Sequence, residues 1–286
     1  MLNSNNFKDP FFDRRFQEAL LALDSKEKDF KLYKQSLNTL MIKESEGVLF
    51  PVGDRNYVDY RALSDGDVDI IDLFQQSQYK KIIIDSVKFS EIEKIHQKLQ
   101  DSILSVKIKK KDISVKLDLP ESYKGYIDGL DRKNRHELKR KLNKFNKQFS
   151  EHRVTNGKTD SHFSSFINLH KNSSEAKMKF MTEDVEELFY NILQIDGWSI
   201  YQLEVEENPV ASCFCYSDNE IFYLYNSGKN KKYDDFSVGI FLINELITVA
   251  IDSNLKIFDF LKGTERYKFN LGGEPQQLFD IEINKI

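Results

Sequence analysis

Only two cysteines occur in the 286-residue chain, Cys213 and Cys215. At i and i+2 on a predicted strand they share one face at a spacing poorly suited to a disulfide, so both read as reduced thiols. The five histidines are dispersed, at positions 96, 136, 152, 162 and 170. Neither they nor the cysteines show metal-ligand spacing, and no structural metal is expected. No window approaches the roughly 20 apolar residues that span a bilayer. The N-terminal stretch MLNSNNFKDPFFDRRFQ has no signal-peptide core, which makes a soluble cytoplasmic protein the expectation. An excess of positive charge is missing too. Lys and Arg total 42 against 46 Asp and Glu, a net charge of -4, which argues against a globally basic polyanion binder.

What is present is a foldable chain. Hydrophobic residues make up 40%, and 22 Phe, 13 Tyr and 1 Trp supply aromatics that disordered chains lack. The length suffices for two domains with real cores and no disulfide or metal scaffold. The charge is also uneven. Residues 131 to 148 (DRKNRHELKRKLNKFNKQ) hold eight Lys or Arg against two acidic residues, a local +6 that leaves -10 for the remainder.

The first half reads as a mixed α/β module. Phe12, Phe16, Leu20 and Leu23 recur at helical spacing, predicting a helix within residues 10 to 37. Extended runs are predicted at Val48 to Val52, Val68 to Phe74 and Lys81 to Ile84. Ser90 and Glu93 offer a capping box for a helix through Leu99. Alternation over Leu104 to Ile108 and Ile113 to Leu119, with polar Lys109 to Asp112 between, predicts a hairpin closed by Pro120.

The second half has a clearer order. Two helices, Asp160 to His170 and Thr182 to Ile192, precede a meander of three strands: Trp198 to Val205, Pro209 to Tyr216 and Glu220 to Asn226. A polar loop then enters a strongly apolar helix near Ser237 to Ser253, followed by strands at Ile257 to Leu261 and Leu278 to Ile283. A loop entering a helix presents unpaired N–H groups and the positive end of a dipole, to which anions bind well. Asn226-Ser227-Gly228 and Ser237-Val238-Gly239 supply small residues there, as plain turns also do.

Four runs in this order carry a resemblance: RKNRHELKRKL (Arg132 to Leu142), LYNSG (Leu224 to Gly228), SVG (Ser237 to Gly239) and FDFLKGTERYKFNLGG (Phe258 to Gly273). Over roughly Tyr126 to Gly273 the chain resembles the GNAT acetyltransferase superfamily, in particular its branch of CelD and BioF2-like acyltransferases, and more distantly the Fem peptidyltransferases. The resemblance implies an α/β (α+β) tandem fold of two mixed, mainly antiparallel sheets flanked by helices. Residues 1–125 would form a degenerate GNAT-like half and residues 126–286 the acyltransferase half. It implies acyl transfer from acetyl-CoA or another acyl-CoA to an amine or hydroxyl of a small molecule or saccharide. Ordinary GNAT enzymes bind the CoA pyrophosphate with a Q/R-x-x-G-x-G/A loop. The corresponding Asn226 to Gly239 lacks that pattern, which keeps other carriers open, including aminoacyl-tRNA as in a Fem-like transfer. A non-catalytic GNAT-like module holding an anionic ligand or a protein partner is open as well.

Within that frame, Asn226, Ser227, Gly228, Ser237, Val238 and Gly239 are the expected donor-binding residues. Tyr225 and Tyr267 are candidate proton donors to a leaving thiolate. Lys268, in YKFNLG, is similar to the lysine of the Fem-type F-K-x-x-F-G ending, which offsets developing charge. Glu265 and Asp259 are candidate bases, since the nucleophile must lose a proton; an ion pair of Glu265 with Arg266 or Lys268, and a satisfied polar strand face for Asp259, explain them equally well. Arg132 and Arg135, with Arg140, are the cations best suited to grip an anion bidentately, although a solvated helix face accounts for them too. His170 is a base, an acceptor contact or a helix cap. No cysteine or serine has a visible triad partner, consistent with direct attack rather than an acyl-enzyme.

Overall fold

The computed structural model describes residues 9–27, 29–35, 41–64, 69–93 and 104–286. The chain divides into two compact units, one of residues 1–113 and 276–286 and the other of residues 114–275.

In the first unit, Asp13 caps helix α1 (Arg14–Asp24) and strands β1 (Lys31–Gln35), β2 (Met41–Ser45) and β3 (Val48–Pro51) follow. Helix α2 (Ile70–Gln76) leads into β4 (Lys81–Lys88), which lies parallel to β3, so α2 belongs to a β-α-β crossover. β4 pairs antiparallel with the last strand, β11 (Glu274–Lys285). Ile42, Leu49, Ile70, Phe74, Ile82, Ile84, Ile281 and Ile283 form the core.

Some sequence expectations hold here and others fail, for local reasons. The helix expected within residues 10 to 37 ends at Asp24, whose buried carboxylate accepts from the Gly53 N–H and pairs with Lys43. Of the run Val68 to Phe74 expected as a strand, residues 70–74 are helical and Val68 lies outside the described residues: Asp69 caps the Ile71 N–H and starts α2, burying Ile70, Ile71 and Phe74. The expected helix from Ser90 to Leu99 is helical at residues 89–93, and the rest lies outside the described residues. No hairpin interrupts residues 104–118. They form one strand, β5 (Leu104–Asp118), because Lys109 to Asp112 contains no glycine or asparagine to reach a positive φ and its side chains tolerate an exposed strand.

In the second unit, α3 (Tyr123–Gly129), α4 (Arg132–Gln148), β6 (His152–Gly157), α5 (Asp160–Ser173), α6 (Glu175–Phe180) and α7 (Glu183–Leu193) precede the meander. Strands β7 (Trp198–Val205), β8 (Asn208–Ser217) and β9 (Ile221–Lys229) are antiparallel neighbours, β6 flanks β7, and β10 (Ile257–Lys262) lies parallel to β9. Apolar helix α8 (Val238–Asp252) links β9 to β10, and short α9 (Arg266–Asn270) follows. Phe145 of α4 stacks on Phe241 of α8 at 3.8 Å, while Phe166 of α5 and Phe189 of α7 pack against Phe214 of β8.

The β9–β10 pairing is brief. Ile257, Phe258 and Asp259 align with Ile221, Phe222 and Tyr223, and pairing ends there. β9 carries on to Lys229 against β8 alone, and Leu261 takes φ +59°. Two parallel strands that separate in this way leave a gap between them, and the unpaired half of β9 lies along it.

Candidate functional site

A cavity of about 320 Å³ follows that unpaired half of β9, lined among others by Ser227, Gly228, Ser237, Gly239, Lys177 and Tyr267. Four of the residues expected to bind a donor therefore share one wall. Ser237 is the N-cap of α8, in the left-handed conformation (φ 55°, ψ 39°), and makes no side-chain cap. The first-turn N–H groups of α8 consequently lack the capping partner that most helices receive, and the positive end of the dipole is undamped. At Gly239 an added Cβ would meet only the Lys229 side chain, at 3.7 Å. Packing does not demand glycine there, and its bareness leaves room for a ligand at the helix end. These features suit the phosphates of an acyl carrier. Val238 is buried behind this turn and Asn226 accepts from the Ser227 N–H.

A larger cavity, about 530 Å³, lies in the first unit. Its cations are already engaged, Lys43 with Asp24 and Arg55 with Asp112 and Asp280, and its lining includes no start of a long helix. The smaller cavity is the better site for an anionic ligand.

Its other wall was not legible as a site in the sequence. Lys177 of α6 donates from Nζ to the Ser227 carbonyl, and Ser173 Oγ accepts from the Lys229 N–H at 2.8 Å. Lys229 itself pairs with Asp234 at 2.6 Å. Cys213 is buried, its thiol pushed up to about 12 by burial despite the nearby Lys177 charge, and it is unsuited to act as a nucleophile. Burial likewise pushes the Tyr267 phenol well above its ordinary range, the charges of Glu265 and Cys213 adding to it. Tyr267 is thus a neutral O–H donor at the cavity wall.

Gly228 has a packing reason of its own. An added Cβ would lie 2.3 Å from the His170 nitrogen and 2.5 Å from the Leu169 carbonyl carbon, so α5 sits directly on β9. His170 is buried between Phe166 and Phe180 and bonds Asn226; among the described residues its Nδ1 has no partner. Burial, with Lys177 assisting, lowers its pKa from 6.5 to about 4. Below pH 6.5 the unfolded chain therefore binds a proton that the folded chain refuses. The stability His170 confers is complete above that value and falls as pH approaches about 4. Urea unfolding across this window should show that His170→Phe flattens the acid loss of stability by up to about 3 kcal/mol. An unchanged pH slope would refute a neutral buried imidazole.

The remaining candidates are placed as follows. Glu265 stands at the N-cap position of α9 without a side-chain cap, its carboxylate 58% exposed and 3.0 Å from Lys268 Nζ. Lys268 is itself buried, and its ammonium donates to the Leu261 and Lys262 carbonyls, at 3.4 and 2.5 Å, securing the irregular end of β10. Asp259 is fully buried; it accepts from the Leu261 N–H at 2.8 Å and pairs with Lys116 at 3.3 Å. Tyr225 stacks on Phe189 and meets Trp198 edge-on, and it is not among the residues that line the cavity. On α4, Arg132, Lys133, Arg135, His136 and Lys139 line a separate depression. Arg135 donates to the Asp128 carbonyl at 3.2 Å, and Arg140 is held bidentately by Glu137, both bonds at 2.8 Å. Those bonds hold the Glu137 carboxyl at about 2. Among the described residues no group of three or more His, Cys, Asp or Glu is placed to hold a metal, and no helix is long and apolar enough to cross a membrane.

Residues 132–269 match the family described as an acetyltransferase (GNAT) domain. No curated protein matches the chain in sequence. Among solved structures, a conserved protein of unknown function from Bacteroides thetaiotaomicron superposes with a TM-score of 0.62 at 12% identity, covering 96% of this chain and 92% of that one. FemX superposes with a TM-score of 0.59 at 11% identity, covering 98% and 97%. The C-terminal DUF2156 domain of a protein from Agrobacterium fabrum, described as a lysylphosphatidylglycerol synthetase, gives 0.59 at 8% identity over 93% and 87%. The parallel β9–β10 pair that separates and the helix start on the gap lie within the matched span: residues 132–269 are similar to a GNAT acetyltransferase domain, and the chain shares its fold with FemX.

Proposed function

We propose that the chain transfers an acyl group from a CoA thioester to an amine or hydroxyl acceptor by direct attack. The observation that carries this reading is the uncapped start of α8, with Ser237 in the left-handed conformation and Gly239 bare, on a cavity that follows the unpaired half of β9. Backbone N–H groups there would meet the carrier's phosphates. The thioester would lie further along β9, toward Tyr267.

The chemistry follows from the groups at that end. The acceptor's lone pair attacks the thioester carbonyl carbon, the C–S bond breaks, and Tyr267 gives its proton to the departing sulfur. Glu265, exposed and ion-paired with Lys268, takes the proton that the acceptor loses, directly or through water. Lys268 orients Glu265 and closes β10 rather than touching substrate. Isothermal titration with CoA and acetyl-CoA should give micromolar or tighter binding, and Gly239→Asp, which sets a negative charge at the helix start, should weaken it at least about tenfold. Absence of binding by every CoA species would refute the reading.

The basic depression on α4 favours a second reading, Fem-like transfer from a charged tRNA. Affinity for tRNA would then fall steeply with salt, and charge reversal at Arg132 and Arg135 would abolish it.

A further inference from the structure

Charges in the cavity do not balance. Lys229 is neutralised by Asp234 at 2.6 Å, and it lies beside Gly239 at the start of α8. Lys177 is different. It enters from α6, its Nζ is bonded to the Ser227 carbonyl, and among the described residues it has no ion pair. The groups whose charges it feels are Cys213, Glu265, Lys229 and His170. Glu265 is the only carboxylate of these, and it is 3.0 Å from Lys268 and open to solvent. A partly buried ammonium satisfied by one carbonyl costs desolvation energy that a bound anion would recover.

The anion must belong to whatever occupies the cavity, and position along it narrows the choice. The α8 start and Lys229 mark one end, where the carrier's phosphates would bind. Lys177 is bonded at Ser227, two residues before Lys229 on β9 and opposite Cys213, and the charges of Glu265 and Cys213 reach both Lys177 and Tyr267; the proposed function puts the acyl group there. A neutral acyl chain would leave the ammonium uncompensated in the bound complex, and an oxyanion forming only in passing would not compensate it before reaction. A carboxylate on the acyl group compensates it throughout.

We infer that Lys177 selects a donor whose acyl group ends in a carboxylate, a dicarboxylic-acid monothioester, over donors with neutral acyl groups. This rests on the proposed function, since it places a CoA thioester in the cavity. A charge-assisted hydrogen bond in a partly dry site discriminates by about 10- to 100-fold.

The test is titration calorimetry of the full chain with CoA, butyryl-CoA and succinyl-CoA, whose acyl chains are equally long. Wild type should bind succinyl-CoA about 10- to 100-fold more tightly than butyryl-CoA. Lys177→Met should bring that ratio close to one with CoA affinity retained, and Lys177→Arg should keep most of it. A wild-type ratio near one overturns the inference whatever the variants do. So does a ratio unchanged in a folded Lys177→Met protein, or an equal weakening of CoA itself, which would show Lys177 reading the carrier. If no CoA species binds wild type, the donor assignment under the proposed function has failed and the inference falls with it; CoA binding without carboxylate preference sinks the inference alone.

Discussion

Gly228→Val is expected to destabilise the second unit by more than about 4 kcal/mol, in the range that marks a change the packing cannot absorb. Three backbone atoms of α5 lie within 2.7 Å of the position a Cβ would take: the His170 nitrogen, the Leu169 carbonyl carbon and the His170 Cα. Flexible side chains can swing away from such a contact. Backbone cannot, because α5 is fixed by Phe166, Ile167 and Leu169 in the core and by Ser173, whose Oγ bonds the Lys229 N–H and carbonyl. Relief requires α5 to lift off β9, which also opens the cavity wall. Urea unfolding followed by circular dichroism measures the effect, and Gly239→Ala is the control: its Cβ meets one methylene at 3.7 Å, so stability should change by less than about 1 kcal/mol. Equal stability losses at the two glycines would mean that α5 does not sit on β9 as described.

Tyr267→Phe should lower kcat by about 10²- to 10³-fold, with the donor's KM within about a factor of three, because a proton donor acts in the transition state and scarcely in the ground state. The phenol suits that task. Burial favours its neutral form, it lines the cavity, and among the described residues its hydroxyl makes no hydrogen bond whose loss would disturb the fold. Thermal stability should therefore be close to wild type. The decisive arm uses a thioester whose leaving thiol is intrinsically acidic and departs without a proton. Such a donor should recover most of the lost rate in the variant, and uniform loss across donors would assign Tyr267 to positioning instead.

Which parts of this picture were legible beforehand follows from the range of the forces involved. The strands Trp198–Val205 and Asn208–Ser217 and the helix Val238–Asp252 announce themselves because burial on one face or all round writes a local pattern. The basic helix did so through composition, and the cavity wall formed by Ser227, Gly228, Ser237 and Gly239 through small residues at a strand end and a helix start. Lys109 to Asp112 misled because polarity alone does not turn a chain: a tight hairpin favours glycine or asparagine at its centre, and this stretch has neither. Val68 to Phe74 misled because a short apolar run is ambiguous until a cap such as Asp69 is weighed.

The sequence by itself determined the class of elements and their order through residues 198–262, since hydrophobic period and turn length act between neighbours along the chain. Only the tertiary structure decided that β11 returns to the first unit, that Lys268 is consumed by the carbonyls at the end of β10, and that Lys177 reaches the Ser227 carbonyl beside Cys213 and Tyr267. Residues 177, 213, 227, 239 and 267 share no period and no motif. What brings them together is the packing of α5 and α6 on the separating edge of β9, which depends on contacts between segments far apart in sequence, and a one-dimensional pattern carries no record of those.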